Sequence, residues 1–344
     1  MRSSASKVLE IFYRADGEPI RLHPRFCIDE NIISFGGSSR LVEGIPLREQ
    51  LKRKPDSKIC FYRTYALGDI ILLTPIFNWV KEKYPASTVY LVTVSAFTGL
   101  FKYWDLIKTV DKRAIDYLDY DVGYYLDGVV EKDHEGGRLS YMHRLDIYCE
   151  FVGVDVPKDP IFSLPFSDAE KSWAESIVGP IREPGKPVLA IQVSGATKTR
   201  RFPLGKWMKI AGDLVKDFSI IFLHNFYEEI NVKEVVNLGG QTSVQQVVAL
   251  LDCVDAVVTL DSGILWMAHC TKTPIIALLG HTREEERMTY HRNYYVVNLS
   301  EMVGCEACFG RMDKCGGAIK CMTQVDEMQV VKGIRDGVRK LIYC

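Results

Sequence analysis

The stretch DAVVTLDSGILWMAHCTKTPIIALLG (255–280) decides the fold. An apolar run, DAVVTL, stops at Asp261-Ser262-Gly263; the helix-like ILWMAHCT follows, and then a second apolar run, PIIALLG. Short apolar runs bounded by turn residues read as buried strands, so the order is strand, helix, strand. Such alternation implies a parallel sheet joined by crossovers.

Working outward, the pattern persists. Upstream lie SVQQVVALLDC (243–253, helix), SIIFLHN (219–225, strand), LGKWMKIAGDLVKD (204–217, helix) and VLAIQVSG (188–195, strand). Downstream, DEMQVVKGIRDGVRKLI (326–342) has helical spacing and caps the fold. An earlier series has the same character: KICFYR (58–63) as strand, DIILLTPIFNWVKEKYP (69–85) as helix, TVYLVTV (88–94) as strand and AFTGLFKYW (96–104) as helix. YDVGYYLDG (120–128) then reads as strand and YMHRLDIYCEFVGV (141–154) as helix. Prolines and GPIREPGKP (179–187) separate the two series. Before them, VLEIFYR, ADGEP, IRLHPRFCI and IISFGG alternate apolar runs with turn residues, a β pattern. The expected organisation is an N-terminal β-rich appendage (1–56) and two doubly wound α/β domains (57–182 and 183–344), with the functional crevice at the strands' carboxyl ends.

The chain has 344 residues, 47% hydrophobic and 25% charged, enough for two cores. With 43 basic against 44 acidic side chains, the balance gives no signal for nucleic acid, and any anion is met locally. The N-terminus lacks a signal peptide's apolar core and no apolar run reaches the roughly 20 residues of a membrane span, so a cytoplasmic location is expected.

Three strand-to-helix turns carry the candidate chemistry. In YRTYALGDIILLTP (62–75), Gly68 and Asp69 open a helix. Asp69 is either an N-cap or a carboxylate that takes a proton from a substrate hydroxyl. In QVSGATKTRRFPLGKW (192–207), Ser194 and Gly195 allow close backbone approach, and Thr197, Lys198, Arg200 and Arg201 offer donors for phosphate oxygens. The alternative there is a solvated basic loop. Asp261, Ser262 and Gly263 form the third turn, a helix cap or an anion site. Neither G-x-G-x-x-G after a first strand nor G-x-x-x-x-G-K-[ST] occurs, which argues against dinucleotide oxidoreductases and P-loop enzymes.

Four segments in order, LGDIILLTP with WVKEKYP, SGATKTRRFP, NLGGQTSVQQVVALLDCVDAVVTLDSGILWMAHCTKTPIIALLG and CEACFGRMDKCGGAIKCM, resemble the ADP-heptose:lipopolysaccharide heptosyltransferase family. The resemblance runs from about Lys58 onward and is thin between roughly Phe97 and Pro187. It implies the GT-B fold, two Rossmann-like domains facing a central cleft, and an inverting glycosyltransferase that needs no cofactor for catalysis. By resemblance Asp69 is the base, beside Gly68 in the acceptor loop. Arg200, with Ser194 and Thr197 nearby, meets donor phosphate, and Asp261-Ser262-Gly263 holds the donor's diphosphate and sugar. The implied donor is a nucleotide sugar, ADP-heptose or a related one, and the acceptor is lipopolysaccharide core, another glycan or a protein. Peripheral membrane contact and a homo-oligomer are compatible with it. A non-catalytic nucleotide-sugar module would not require Asp69, and a GT-B sugar-nucleotide epimerase would call for paired carboxylates and histidines around the sugar.

Three residues beyond Gly263 the family commonly has a histidine that partners phosphate; this chain has Trp266, which offers one N–H and a stacking face but no charge. Neutralising a diphosphate then falls to Arg200, Arg201 or Lys198. Trp266, the N-terminal β segment and the clustered cysteines are similar to the autotransporter heptosyltransferase branch, which glycosylates protein and binds iron through cysteines. Here Cys305, Cys308, Cys315 and Cys321 are spaced C-x2-C-x6-C-x5-C. They are reduced thiols, a labile disulfide formed on isolation, or four ligands closing round a structural Zn or Fe.

Overall fold

A computed structural model describes residues 12–13, 19–20, 46–117, 120–130, 142–195, 197–224, 230, 232–309 and 315–343. The chain divides into two units, Met1–Gly136 with Arg144–Ile161, and Gly137–His143 with Phe162–Cys344.

In the first unit, β1 (Phe12–Tyr13) and β2 (Pro19–Ile20) pair antiparallel; otherwise the expected β appendage lies outside the described residues up to position 45. From Pro46 onward the β reading is corrected. Leu47–Arg53 is a helix, α1, because Leu47, Gln50 and Leu51 fall at helical spacing and are buried. Then come β3 (Lys58–Tyr62), α2 (Leu67–Ile71), α3 (Thr74–Lys83), β4 (Thr88–Thr93), β5 (Ile107–Asp111), β6 (Val122–Tyr125) and α4 (Arg144–Val152). The helix expected over 69–85 is in fact two. Pro75 has no N–H for the Ile71 carbonyl, and the Thr74 hydroxyl donates to that oxygen instead, at 2.7 Å. The helix expected over 96–104 is a short 3-10 turn, Ser95–Phe97, followed by turns. The four strands lie parallel in the order β5-β4-β3-β6.

In the second unit the order is α5 (Asp168–Val178), β7 (Val188–Gln192), α6 (Leu204–Leu214), β8 (Ser219–Leu223), β9 (Val235–Asn237), α7 (Val244–Cys253), β10 (Ala256–Leu260) and α8 (Gly263–His269). After these come β11 (Ile275–Leu279), β12 (Tyr294–Asn298), α9 (Lys320–Thr323) and α10 (Glu327–Ile342). Six parallel strands are ordered β12-β11-β10-β7-β8-β9. That is the Rossmann order, with the direction of winding reversing between β7 and β10. All residues of β7, β8, β10 and β11 are buried, so helices cover both faces of the sheet's centre. The expectation of two Rossmann-like units, the GT-B pattern, is borne out. Among the described residues no helix is long and apolar enough to cross a membrane.

Candidate functional site

Where winding reverses, loops leave neighbouring strands in opposite directions and open a crevice at the strands' carboxyl ends. In the second unit, β7 and β10 flank that point, and two of the three turns singled out in the sequence follow them. Gln192, the last residue of β7 and buried, fixes the geometry. Its Oε1 accepts from the Thr259 hydroxyl (2.8 Å), the Leu260 N–H (3.0 Å) and the Ser262 hydroxyl (2.9 Å). Ser262 Oγ in turn accepts from Ile264 N at 3.1 Å as the N-cap of α8, which opens at Gly263.

Asp261 is 4% exposed and is met by two arginines. Arg287 donates through Nε to Oδ1 (2.8 Å) and through Nη2 to Oδ2 (3.1 Å), a two-point clamp. Arg200 Nη2 stands 3.4 Å from Oδ2, and His281 Nε2 3.6 Å from the same oxygen. Arg200 Nε also donates to His281 Nε2 at 3.3 Å. Burial pushes the Asp261 carboxyl up, but Arg287 and then Arg200 outweigh it and hold the group well below the usual carboxylate range. The Arg200 turn packs so closely on Gly195 that a Cβ there would lie 1.9 Å from the Arg200 carbonyl oxygen. Arg201 donates Nε and Nη2 to the Gly195 carbonyl at 3.2 and 3.1 Å. Ser194 is buried beside this loop, while Thr197 and Lys198 are exposed.

Trp266 departs from the expected donor contact. Its indole is 4% exposed and packs on the imidazoles of His143 (centroids 5.6 Å apart) and His269 (5.0 Å). Phe162 and His291 flank His269, and Tyr290 flanks His143. Trp266 is one of five consecutive buried residues of α8, and its ring partners are side chains of the protein. Glu228 and Glu229, which the sequence offers as a ribose contact or as part of a solvated loop, lie outside the described residues.

In the first unit the winding reverses between β3 and β6, and the third turn follows β3. Asp69 is not the N-cap. That position is Ala66, in left-handed backbone (φ 61°), and Gly68 and Asp69 are buried within α2. The carboxylate pairs with Arg63 Nη2 through Oδ2 (2.6 Å) and with Arg144 Nη1 through Oδ1 (2.8 Å). Arg63, 1% exposed, also donates to the carbonyls of Leu126 (2.9 Å) and Tyr65 (3.1 Å). Asp127, after β6, accepts from the Thr64 N–H at 2.9 Å and from the Thr64 hydroxyl.

The four clustered cysteines are free thiols, Cys321 buried and the other three half-buried. Burial, then Cys308, Cys305 and Cys315, push the Cys321 thiol up to about 11. Among the described residues no three histidine, cysteine or acidic side chains converge as a metal site. The loop is nevertheless tied to the donor-side turn: Cys308 N and Phe309 N both donate to the His281 carbonyl, at 3.1 and 2.7 Å. Sequence reasoning passed over Arg63, Arg144, Gln192, His281 and Arg287. Of these only His281 had a usable signal, its place just beyond the strand PIIALLG.

Solved structures share the fold. A glycosyltransferase family 9 protein from Veillonella parvula matches at a TM-score of 0.65 and 17% identity, covering 83% of this chain and 98% of that one. E. coli ADP-heptose lipopolysaccharide heptosyltransferase II matches at 0.61 and 14%, covering 82% and 99%. The dodecameric iron-containing heptosyltransferase TibC, from enterotoxigenic E. coli and in complex with ADP-D-β-D-heptose, matches at 0.59 and 14%, covering 83% and 77%. No curated protein matches. The family model for glycosyltransferase family 9 (heptosyltransferase) matches residues 143–319, more than half of the chain and most of the second unit. The expected enzyme class is thereby met, and the chain belongs to glycosyltransferase family 9.

Proposed function

We propose that the chain transfers a heptose or related sugar from a nucleoside-diphosphate sugar, ADP-heptose first among them, to an acceptor hydroxyl with inversion. One observation carries this reading. At the second unit's switch point Arg287 clamps Asp261 and faces the buried Glu286 at 3.5 Å, while Arg200, 29% exposed, has only a longer contact to Asp261 and stands beside a backbone that only glycine allows. Such an exposed guanidinium suits the donor's diphosphate. Ser194, Thr197, Lys198, Arg201 and the Asp261-Ser262-Gly263 turn complete the proposed donor site.

In the transfer, the acceptor oxygen bonds to the anomeric carbon as its proton passes to Asp69. The bond from that carbon to the diphosphate oxygen breaks, and the electron pair leaves with ADP, whose growing charge Arg200 stabilises. No cofactor takes part in this step. Asp69 is 2% exposed with an arginine on each oxygen, and of the two Arg144 is the more accessible, at 12% against 1% for Arg63. The acceptor therefore reaches the carboxylate by displacing Arg144. Acceptors of this class bear a free hydroxyl on a glycan or a protein. The likeness to dodecameric TibC supports a homo-oligomer. Cys305, Cys308, Cys315 and Cys321 would hold a structural Zn or Fe, a reading that rests on their spacing and on the family resemblance. The ion would compensate the thiolates' charge and fix the loop.

The test is ADP release from ADP-heptose by the purified protein and by Asp69→Ala. Loss of a general base lowers the rate by about 10²–10⁴-fold. Unchanged release in Asp69→Ala would remove the role given to that carboxylate.

A further inference from the structure

The mechanism leaves unused an exposed aromatic close to its base. Tyr65 is 62% exposed, and it lies in the turn after β3, four residues before Asp69. A lone exposed apolar side chain is ordinary; this one is held in place from both sides. Its carbonyl accepts from Arg63 Nε at 3.1 Å, while Nη2 of the same guanidinium pairs with Asp69 at 2.6 Å. Its other neighbour, Ala66, keeps a left-handed backbone (φ 61°), a conformation a non-glycine residue rarely adopts. One buried arginine thus sets the positions of both the carboxylate and the tyrosine backbone.

The ring reaches across the carboxyl end of the sheet. Lys112, after β5, places its ammonium 5.6 Å from the Tyr65 ring centroid, although β4 separates β5 from β3. Tyr62 and Tyr125, from β3 and β6, stack with centroids 4.7 Å apart; burial comes first in raising both hydroxyls, with Tyr65 contributing after Tyr125 and Asp127 for Tyr62 and after Asp127 for Tyr125. The result is an aromatic, cation-flanked surface at the first unit's switch point, where ligands of such sheets bind. An aromatic face suits the C–H face of a pyranose, with hydroxyls left at the rim for Lys112.

We infer that Tyr65 is a platform for a sugar ring of the acceptor, laid beside Asp69. The inference rests on the transferase reading above and makes the acceptor a glycan rather than a peptide.

Saturation-transfer NMR with methyl gluco-, galacto- and mannopyranosides and with a serine-containing tetrapeptide tests this. Wild type, Tyr65→Ala, Tyr65→Phe and Tyr103→Ala are compared, Tyr103 being another exposed tyrosine of the first unit. At least one pyranoside should receive saturation through its C–H face, with the signal about tenfold weaker in Tyr65→Ala and kept in the other two variants. No pyranoside signal in wild type, an equal signal in Tyr65→Ala, or a Tyr65-dependent signal from the peptide alone would overturn the platform. Protection by ADP against thermal unfolding, measured on the same samples, reports separately on the donor reading. Its absence would remove that reading while the pyranoside result still judges Tyr65.

Discussion

Arg287→Met removes a charge from a group that touches no solvent yet governs how much positive charge the donor site offers. Arg287 is 1% exposed and clamps both oxygens of Asp261. Leaving a buried ion without its partner costs about 3–5 kcal/mol, and Arg200, already 3.4 Å away, compensates in part, so about 3 kcal/mol of stability should be lost. The Asp261 carboxyl is held below its unfolded value, so its stabilisation is complete above the unfolded range near pH 4 and is lost only as pH falls below it. Urea unfolding at pH 7 therefore reads the full effect. The functional consequence is sharper. Without Arg287, Asp261 cancels Arg200, and ADP loses a charge-assisted contact of about 1.5–3 kcal/mol, roughly ten- to a hundredfold in Kd by calorimetry. Adding Asp261→Asn should restore much of the ADP affinity, because Arg200 is then free of its counter-charge. An ADP affinity within about twofold of wild type in Arg287→Met, or no recovery in the double variant, would refute this charge accounting.

Gly195→Ala would set a methyl 1.9 Å from the Arg200 carbonyl oxygen, so the Arg200 turn must move; ADP affinity should drop by at least about tenfold with a smaller change in folding stability, read by calorimetry and urea unfolding. Burial, ahead of the other imidazoles, lowers the His269 ring, and burial brings His291 down to about 4. Both bind protons more readily unfolded, so stability present above pH 6.5 should fall as pH drops towards 4, by up to about 3 kcal/mol for His291. His269→Phe, which removes two unpartnered buried nitrogens, should flatten that fall in urea titrations between pH 7 and 4.5. Protein purified without chelators should carry about one Zn or Fe per chain by elemental analysis, and Cys308→Ser should lower both metal content and ADP affinity, since losing the metal would loosen the loop whose 308 and 309 N–H groups hold the His281 carbonyl.

Which parts of this molecule are legible in its sequence follows from where each residue sits. The central strands of the second unit, such as VLAIQ, SIIFL, AVVTL and IIALL, are buried throughout and read as unbroken apolar runs. The strands that sequence reasoning missed, IKTVD, VVN and YYVVN, are all at sheet edges, where one side meets solvent and no continuous run is selected. The same logic divides the site. Arg200 and Asp261 lie in short turns next to strand ends and Asp69 in the first turn of the helix after β3, so position along the chain already marks them. Arg144 and Arg287 reach their carboxylates across 75 and 26 residues, distances that only the folded chain closes. Arg287 sits in HTREEERM, which reads as a solvated charge run; burying it depends on Asp261 waiting at the end of β10, a fact of packing alone. Trp266 is legible only in part. Its place three residues beyond Gly263 is read from the motif, but its packing on His143 joins α8 to a distant segment that only the folded chain brings there. Motif position identifies the turn; the fold decides what each side chain of that turn packs against.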